Sequence, residues 1–443
     1  MNLRKYIFLS VTFVALLLSF YSNFFHLIPQ KSFAEFDIYN KGFVYGRIMN
    51  SEERGIFSDG CFSGIRYDTL KIHEEGKMNI DTIFFLATQR ILSQKDMYLN
   101  KIEREPDFGP YYTQIGTMAS VYSIINITLP GSPESKVNIY NFINALFNAL
   151  VFTVFFWWIS REFGIITSFV TLLFLLTSSY FIGFSGDIWW VAGSFYLPIF
   201  GLFVMMQMKL PEKKILINLF ILFMIKAILT GFEFITCTFL SIFIPITYYY
   251  YYNRKTFKEF FTFSVKAGAV CCLALIILAC LLVIQHKSYH GTFTAGLDWL
   301  HNAFIRRSGS EKDSEGILLN MGYIWGYYSW YCNAFDLSGL TSAIRIPFTI
   351  VITTVYINLF VLFRLTRKAI DKRRYTALIL ATALSCIPSV SWYIIFRDHA
   401  LKHLWIDAIC WYFPFLLLGF MSIGVTISVL YKRWFYTKSV ATE

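Results

Sequence analysis

Ten runs of about twenty apolar residues dominate this chain, near 6–25, 138–160, 164–184, 187–208, 215–232, 234–252, 261–285, 345–364, 376–396 and 406–431. A helix of that length spans the hydrocarbon of a bilayer, where each backbone group must find its partner inside the helix. The runs therefore predict an all-α polytopic membrane protein of about ten transmembrane helices, with 1–443 forming a single transmembrane domain. Only 15% of the 443 residues are charged, against about 25% in soluble domains. Such a chain cannot wrap itself in a polar surface. The first run follows a basic start, Arg4-Lys5, and no small-residue cleavage site succeeds it. It reads as a retained helix rather than a signal peptide.

The formal charge of +11 needs no nucleic acid to explain it. With the N-terminus inside, the N-terminal segment, the even connections and the C-terminal tail hold eighteen basic residues against five acidic ones. That bias marks cytoplasmic segments and places both termini in the cytoplasm. Two long loops then face outward, 26–137 and 286–344. The first has a nearly balanced twelve basic and fourteen acidic residues. It contains an amphipathic piece, 80–94, and an apolar one, 112–129, both expected as short interfacial or re-entrant helices. Connectors of this length usually carry function. Cys61 and Cys332 sit in separate outward loops, and their spacing does not decide whether they pair.

Four connections bring polar groups to the outer face on this topology. Glu35 and Asp37 follow the first helix, Asp187 sits in the turn "SGDIWW", and Glu233 follows the fifth span. The last of the four, "FRDHALKHLWID", loads Arg397, His399, Lys402, His403 and Asp407 between two apolar runs. A carboxylate there can act as general base on a hydroxyl, and Arg, Lys and His can hold a phosphate. His399, His403 and Asp407 also have the i, i+4, i+8 spacing of a helix face, which is weak as a metal signal. No cofactor motif occurs, and a divalent metal is not indicated. Lys226 lies inside an expected span, where a charge is expensive and usually faces a cavity or a partner. With Thr230 and Glu233 it forms an i, i+4, i+7 set on one face.

The order of these parts resembles the GT-C class of integral membrane glycosyltransferases. A first helix with its N-terminus inside is followed by a large outer loop that opens with an acid. The resemblance implies a polyprenyl-phosphate-linked sugar donor, a catalytic acid at Glu35 or Asp37, and a second acid at Asp187. It implies donor-phosphate binding by Arg397, His399, Lys402 and His403. The adjacent acidic pair of many such first loops is absent here, because Phe36 separates the two candidates, so the choice between them stays open. The segments "FVYGRIMNSEERGIFSDG", "IKAILTGFEFITCTFL" and "WYIIFRDHALKHLWIDAICWYFPF" also resemble those of a group of bacterial multi-pass membrane proteins. The matching positions are Arg47, Glu233, His399, His403, Trp411 and Pro414.

The expectation is thus a bacterial plasma-membrane enzyme with an extracytoplasmic site. It would move a sugar from a lipid-linked donor to a cell-surface glycan or lipid acceptor. Asp37, Glu35 and Asp187 are the catalytic candidates. Arg47, Lys226, Glu233, Arg397, His399, Lys402, His403 and Asp407 are the binding candidates, with Trp299, Trp325, Tyr327, Tyr328 and Trp330 available to stack on sugar rings. The partners are the donor, the acceptor and membrane lipids, and no nucleic acid. The alternatives are a flippase or transporter of lipid-linked glycan, which calls for a polar track through the spans, and a surface-glycan polymerase or ligase.

Overall fold

The computed structural model describes residues 3–67, 80–102, 107–308, 317–336, 338 and 344–441. Residues 68–79, 103–106, 309–316, 337 and 339–343 of the two loops lie outside this set. The chain opens with α1 (Leu3–Ser22). The first loop folds as α2 (Gln30–Ala34), α3 (Ile38–Arg54), α4 (Ile80–Asn100) and α5 (Thr117–Thr128). An antiparallel ribbon joins β1 (Gly64–Tyr67) to β2 (Asp107–Pro110). Next come α6 (Pro133–Glu162), α7 (Ile165–Thr177), α8 (Ser179–Gly186), α9 (Gly193–Gln207), α10 (Glu212–Thr230), α11 (Ile235–Ser241), α12 (Phe243–Tyr252) and α13 (Phe257–His290). The second loop carries α14 (Phe293–Ser308), α15 (Ile317–Trp330) and a ribbon of β3 (Asn333–Asp336) with β4 (Arg345–Pro347). Then follow α16 (Phe348–Thr366), α17 (Lys372–Leu384), α18 (Cys386–Ile395), the short α19 (Arg397–Lys402) and α20 (Leu404–Asp407), and α21 (Phe415–Ala441).

Six helical stretches are long and apolar enough to cross a membrane: α1, α6, α13, α16, Lys372–Ile395 and Phe415–Trp434. The pair α7 and α8, bent by 76°, makes a seventh if counted as one span. The protein is an α-helical integral membrane protein. Three of the ten expected spans fall on lesser helices. The run 187–208 becomes helical only at Gly193, because the residues before it form a turn around Asp187. The run 215–232 lies on α10, which carries Glu212, Lys213, Lys214 and Lys226. The run 234–252 breaks between α11 and α12, just ahead of Pro245, whose ring removes a helix hydrogen bond. At the other extreme α13 has 34 residues. At 1.5 Å per residue it is roughly 50 Å long and outruns the hydrocarbon layer.

Local signals set several helix starts. Pro133 occupies the first turn of α6, and the Ser132 side chain accepts from Ser135 N at 3.3 Å. Thr256 and Glu259 form a reciprocal capping box on α13. The core is aromatic where α1, α6 and α8 meet. Phe20, Phe152 and Phe181 are fully buried and contact edge to face at 5.0–6.1 Å. Such pairs add about 0.5–1.5 kcal/mol each beyond area burial. The first loop is anchored to this core. Phe36 packs on Gly183 and Phe33 on Gly186, and a Cβ at either glycine would strike the ring. Cys61 and Cys332 are both free thiols.

Candidate functional site

The turn between α8 and α9 is built by two amides on α6. Asn144 Nδ2 donates to the carbonyls of Ser185 and Asp187, each at 3.1 Å. Asn148 Nδ2 donates to Ser185 O at 2.6 Å, and Asn148 Oδ1 accepts from Gly193 N at 2.7 Å. Asn144 and Asn148 are i, i+4 neighbours in an apolar helix, so one face of α6 supplies all four of these bonds. Within the turn, Asp187 Oδ1 accepts from Trp189 N at 2.8 Å. Its other oxygen lies 3.2 Å from Lys41 Nζ, and both side chains are buried. Lys41 Nζ also donates to Ala34 O at 3.3 Å.

Asp37 meets the same turn. Its Oδ2 accepts from Trp190 Nε1 at 2.5 Å and from Asn40 Nδ2 at 2.7 Å. Its backbone is left-handed, φ 45° and ψ 44°, a conformation costing roughly 1–2 kcal/mol for an L-residue and least resisted by Asp and Asn. The contact of Phe36 with Gly183 holds the chain in that geometry. Burial raises the Asp37 carboxyl above its ordinary value, against the bonds from Asn40 and Trp190. Burial pushes Asp187 up to about 7, with Lys41 opposing and the like charge of Asp37 adding to the rise. Asp37 is partly buried, Asp187 is sealed, and Glu35 is exposed.

A second polar knot lies beside the first. Phe234 packs on Trp190 with centroids 5.5 Å apart, and its neighbour Glu233 is buried. Glu233 Oε1 accepts from Arg307 Nη2 at 3.0 Å. Burial alone would raise the Glu233 carboxyl, but the charge and hydrogen bond of Arg307 above all hold it below its ordinary value. His399 and His403 face each other with ring centroids 4.5 Å apart. Burial, then the charges of Arg307 and His403, bring His399 down to about 3, against the pull of Glu233. It is therefore neutral at pH 7. His403 is displaced the same way by partial desolvation and by Arg307, and the charges of Glu233 and Asp37 act on it in the opposite sense. The two ends of the chain meet beside this knot: Phe36 of the first loop packs on Trp405 of the last connection with ring centroids 4.9 Å apart.

The remaining candidates have other places. Arg47 is buried and donates to Ser58 O at 2.8 Å and to Ile56 O, so it ties down the turn after α3. Lys226 does not meet the Glu233 carboxylate, because α10 ends at Thr230. Its Nζ donates instead to the Gly231 and Glu233 carbonyls at 2.9 and 2.7 Å, as a cation at a helix C-terminus does. Asp407 leaves the histidine face, since the chain is non-helical at His403, φ −125° and ψ 27°. Its Oδ2 accepts from Trp392 Nε1 at 2.9 Å in the core. Arg397 Nε lies 3.4 Å from Asp398 Oδ1, and Lys402 is exposed. Among the described residues no three of His, Cys, Asp and Glu gather as metal ligands.

Two cavities flank the acids. One of about 270 Å³ is lined by Lys41, Lys95, Gln30, Asn138 and Asn141. The other, of about 400 Å³, is lined by Glu35, Phe36, Tyr180, Tyr331, Asp336 and Trp405. Of the expected stacking residues, Tyr328 is buried, with its hydroxyl bonded to Leu404 O at 2.9 Å. Trp299 stacks on His286 at 5.3 Å, and Trp325 and Trp330 are exposed. Sequence reasoning missed Lys41, Lys95, Arg307, Trp190, Asn144 and Asn148. The asparagines at 141, 144 and 148, spaced i, i+3, i+7 on one face of an apolar run, were the one available signal. Comparison with known protein families, characterised proteins and solved structures finds no match.

Proposed function

We propose that this chain is a membrane glycosyltransferase of a bacterial plasma membrane, working at the extracytoplasmic face with both termini in the cytoplasm. It moves a sugar from a polyprenyl-phosphate-linked donor to a surface glycan or lipid acceptor. The observation that carries this reading is the meeting of Asp37 and Asp187 at the ends of the apolar helices. One carboxylate is partly buried, strained and hydrogen-bonded, and the other is sealed against Lys41. Perturbed carboxyls in a recess beside cavities are what acid–base chemistry requires.

In this mechanism Asp37 takes the proton of an acceptor hydroxyl. The hydroxyl oxygen forms a bond to the anomeric carbon, the bond from that carbon to the phosphate oxygen breaks, and the phosphate leaves with the electron pair. Configuration at the carbon inverts. Asp187 positions Lys41 and the turn that grips Asp37. His399 is neutral and Arg397 faces Asp398, so this cluster suits hydrogen bonds to sugar hydroxyls better than a charge clamp on phosphate. The cavity with Tyr331, Trp405 and Glu35 has the mixed aromatic and acidic lining that suits a sugar ring. The transporter reading is less well supported. The intramembrane cation Lys226 is spent on backbone carbonyls rather than exposed along a track.

The test is Asp37→Asn, which keeps the shape and the bond from Trp190. Membranes with the variant are given polyprenyl-phosphate-linked sugars, and release of polyprenyl phosphate is followed beside surface glycan in cells. We expect at least a hundredfold loss of transfer, the scale of a missing general base, with normal protein levels. Undiminished transfer and glycan in this variant would refute the proposal.

A further inference from the structure

The 270 Å³ cavity holds more positive charge than its walls neutralise. Lys41 has three donors; Asp187 and Ala34 O engage two, and the third is left for the cavity. Lys95, on α4, also lines it and forms no ion pair among the described residues. Burial lowers the Lys95 ammonium from its ordinary value and the charge of Lys41 lowers it further, with Asp96 and Glu35 opposing. Two ammonium groups held on one recess repel each other unless an anion lies between them. Amides complete the wall: Gln30, Asn138 and Asn141.

The position of the cavity says which anion. Tyr21 and Ser22, the last residues of α1, line it together with Asn138 and Asn141 in the first turns of α6. The recess therefore sits at the ends of two neighbouring membrane helices, at the depth of lipid headgroups. The rim beside it is apolar and open. Phe24, Phe25 and Phe142 are 40–55% exposed, and Phe142 meets Tyr21 edge to face at 5.8 Å. A cationic pocket under an exposed apolar rim fits an amphiphile whose head is a phosphate.

We propose that Lys41 and Lys95 form a phosphate-binding site for a lipid-linked phosphate, with Gln30, Asn138 and Asn141 as its hydrogen-bonding walls. Within the glycosyltransferase reading this is the donor-phosphate subsite, placed at Lys41 and Lys95 rather than at residues 397–403. Only that use rests on the reading; the site itself is defined by binding.

The experiment uses the full chain in nanodiscs and measures binding without turnover. The probes are undecaprenyl phosphate, the uncharged polyprenol of the same length, and inorganic diphosphate as a competitor. Undecaprenyl phosphate should bind at least tenfold more tightly than polyprenol. Lys95→Gln should weaken it about tenfold, roughly 1.4 kcal/mol, and Lys95→Arg should restore it. Displacement by diphosphate supports recognition of the phosphate group. Equal binding of phosphate and polyprenol, or unchanged binding in Lys95→Gln, overturns the proposal. Lys95-dependent diphosphate binding with no gain from the lipid chain overturns the lipid assignment in favour of a soluble phosphate. Asp37→Asn should bind normally. If Asp37→Asn transfers sugar normally while Lys95-dependent binding persists, the transferase reading falls and the site stands.

Discussion

Asp187→Asn separates two opposing views of the buried pair with Lys41. Breaking a buried ion pair ordinarily destabilises by about 3–5 kcal/mol. Here burial outweighs the attraction, since the Asp187 carboxyl sits at about 7 in the folded chain against 3.8 as its ordinary value. A carboxyl with a raised folded value stabilises the fold while protonated. That contribution is whole below about pH 4 and is lost as pH rises through about 7. Three units correspond to on the order of 4 kcal/mol. Asparagine imitates the protonated form and keeps the bond from Trp189 N. Lys41 is not stranded, because it borders a cavity and retains Ala34 O. The variant should therefore gain on the wild type as pH rises. Thermal unfolding in detergent at pH 5 and pH 8 reads the gap between them, which should move by roughly 3 kcal/mol toward the variant. Sugar transfer should fall in the same protein, a trade of activity for stability. A variant that loses ground between pH 5 and pH 8 would show that the ion pair dominates and that the burial argument is wrong.

Two further changes probe the supports. Glu233→Gln leaves Arg307 buried without its carboxylate and should destabilise by about 3–5 kcal/mol; Glu233→Gln with Arg307→Gln should recover a good part of that in the same melting assay. Gly183→Ala drives a methyl into the Phe36 ring and should displace Asp37. We expect transfer and Lys95-dependent phosphate binding to fall together, each at least tenfold, and loss of transfer with phosphate binding intact would show that the base and the anion site are assembled separately.

The membrane helices were legible because an apolar run of about twenty residues has few other fates in lipid. The runs 187–208 and 234–252 misled because composition does not register a turn held by side chains of another helix, or a break ahead of Pro245. Asp37, Asp187, Glu233 and the histidines were legible as polar residues placed where apolar ones prevail. Their partners were not. Lys41 looks like one of many loop lysines, and Arg307 is 74 residues from Glu233. Periodicity failed where the helix ended early. The expected Lys226–Glu233 face stopped at Thr230, and the expected His399–His403–Asp407 face stopped at His403. Spacing rules hold only inside one continuous helix.

The two polar knots differ in how they handle charge at the edge of a low-dielectric region. Glu233 and Arg307 cancel each other, and His399 avoids the problem by staying neutral. Asp187 and Lys41 cancel less completely, because Asp187 titrates near neutrality and Lys95 adds a second cation. The surplus positive charge is therefore confined to the recess between α1, α4 and α6. It exists only when the first loop is docked, since α3 and α4 bring the lysines while α8 brings the carboxylate. Gly183 and Gly186 are where that docking happens, through Phe36 and Phe33. The same two rings set the left-handed turn that aims Asp37. Assembly of the proposed base and assembly of the anion site are in this sense one packing event, and separating them experimentally requires changes at Lys95 and Asp37 themselves rather than at the glycines beneath them.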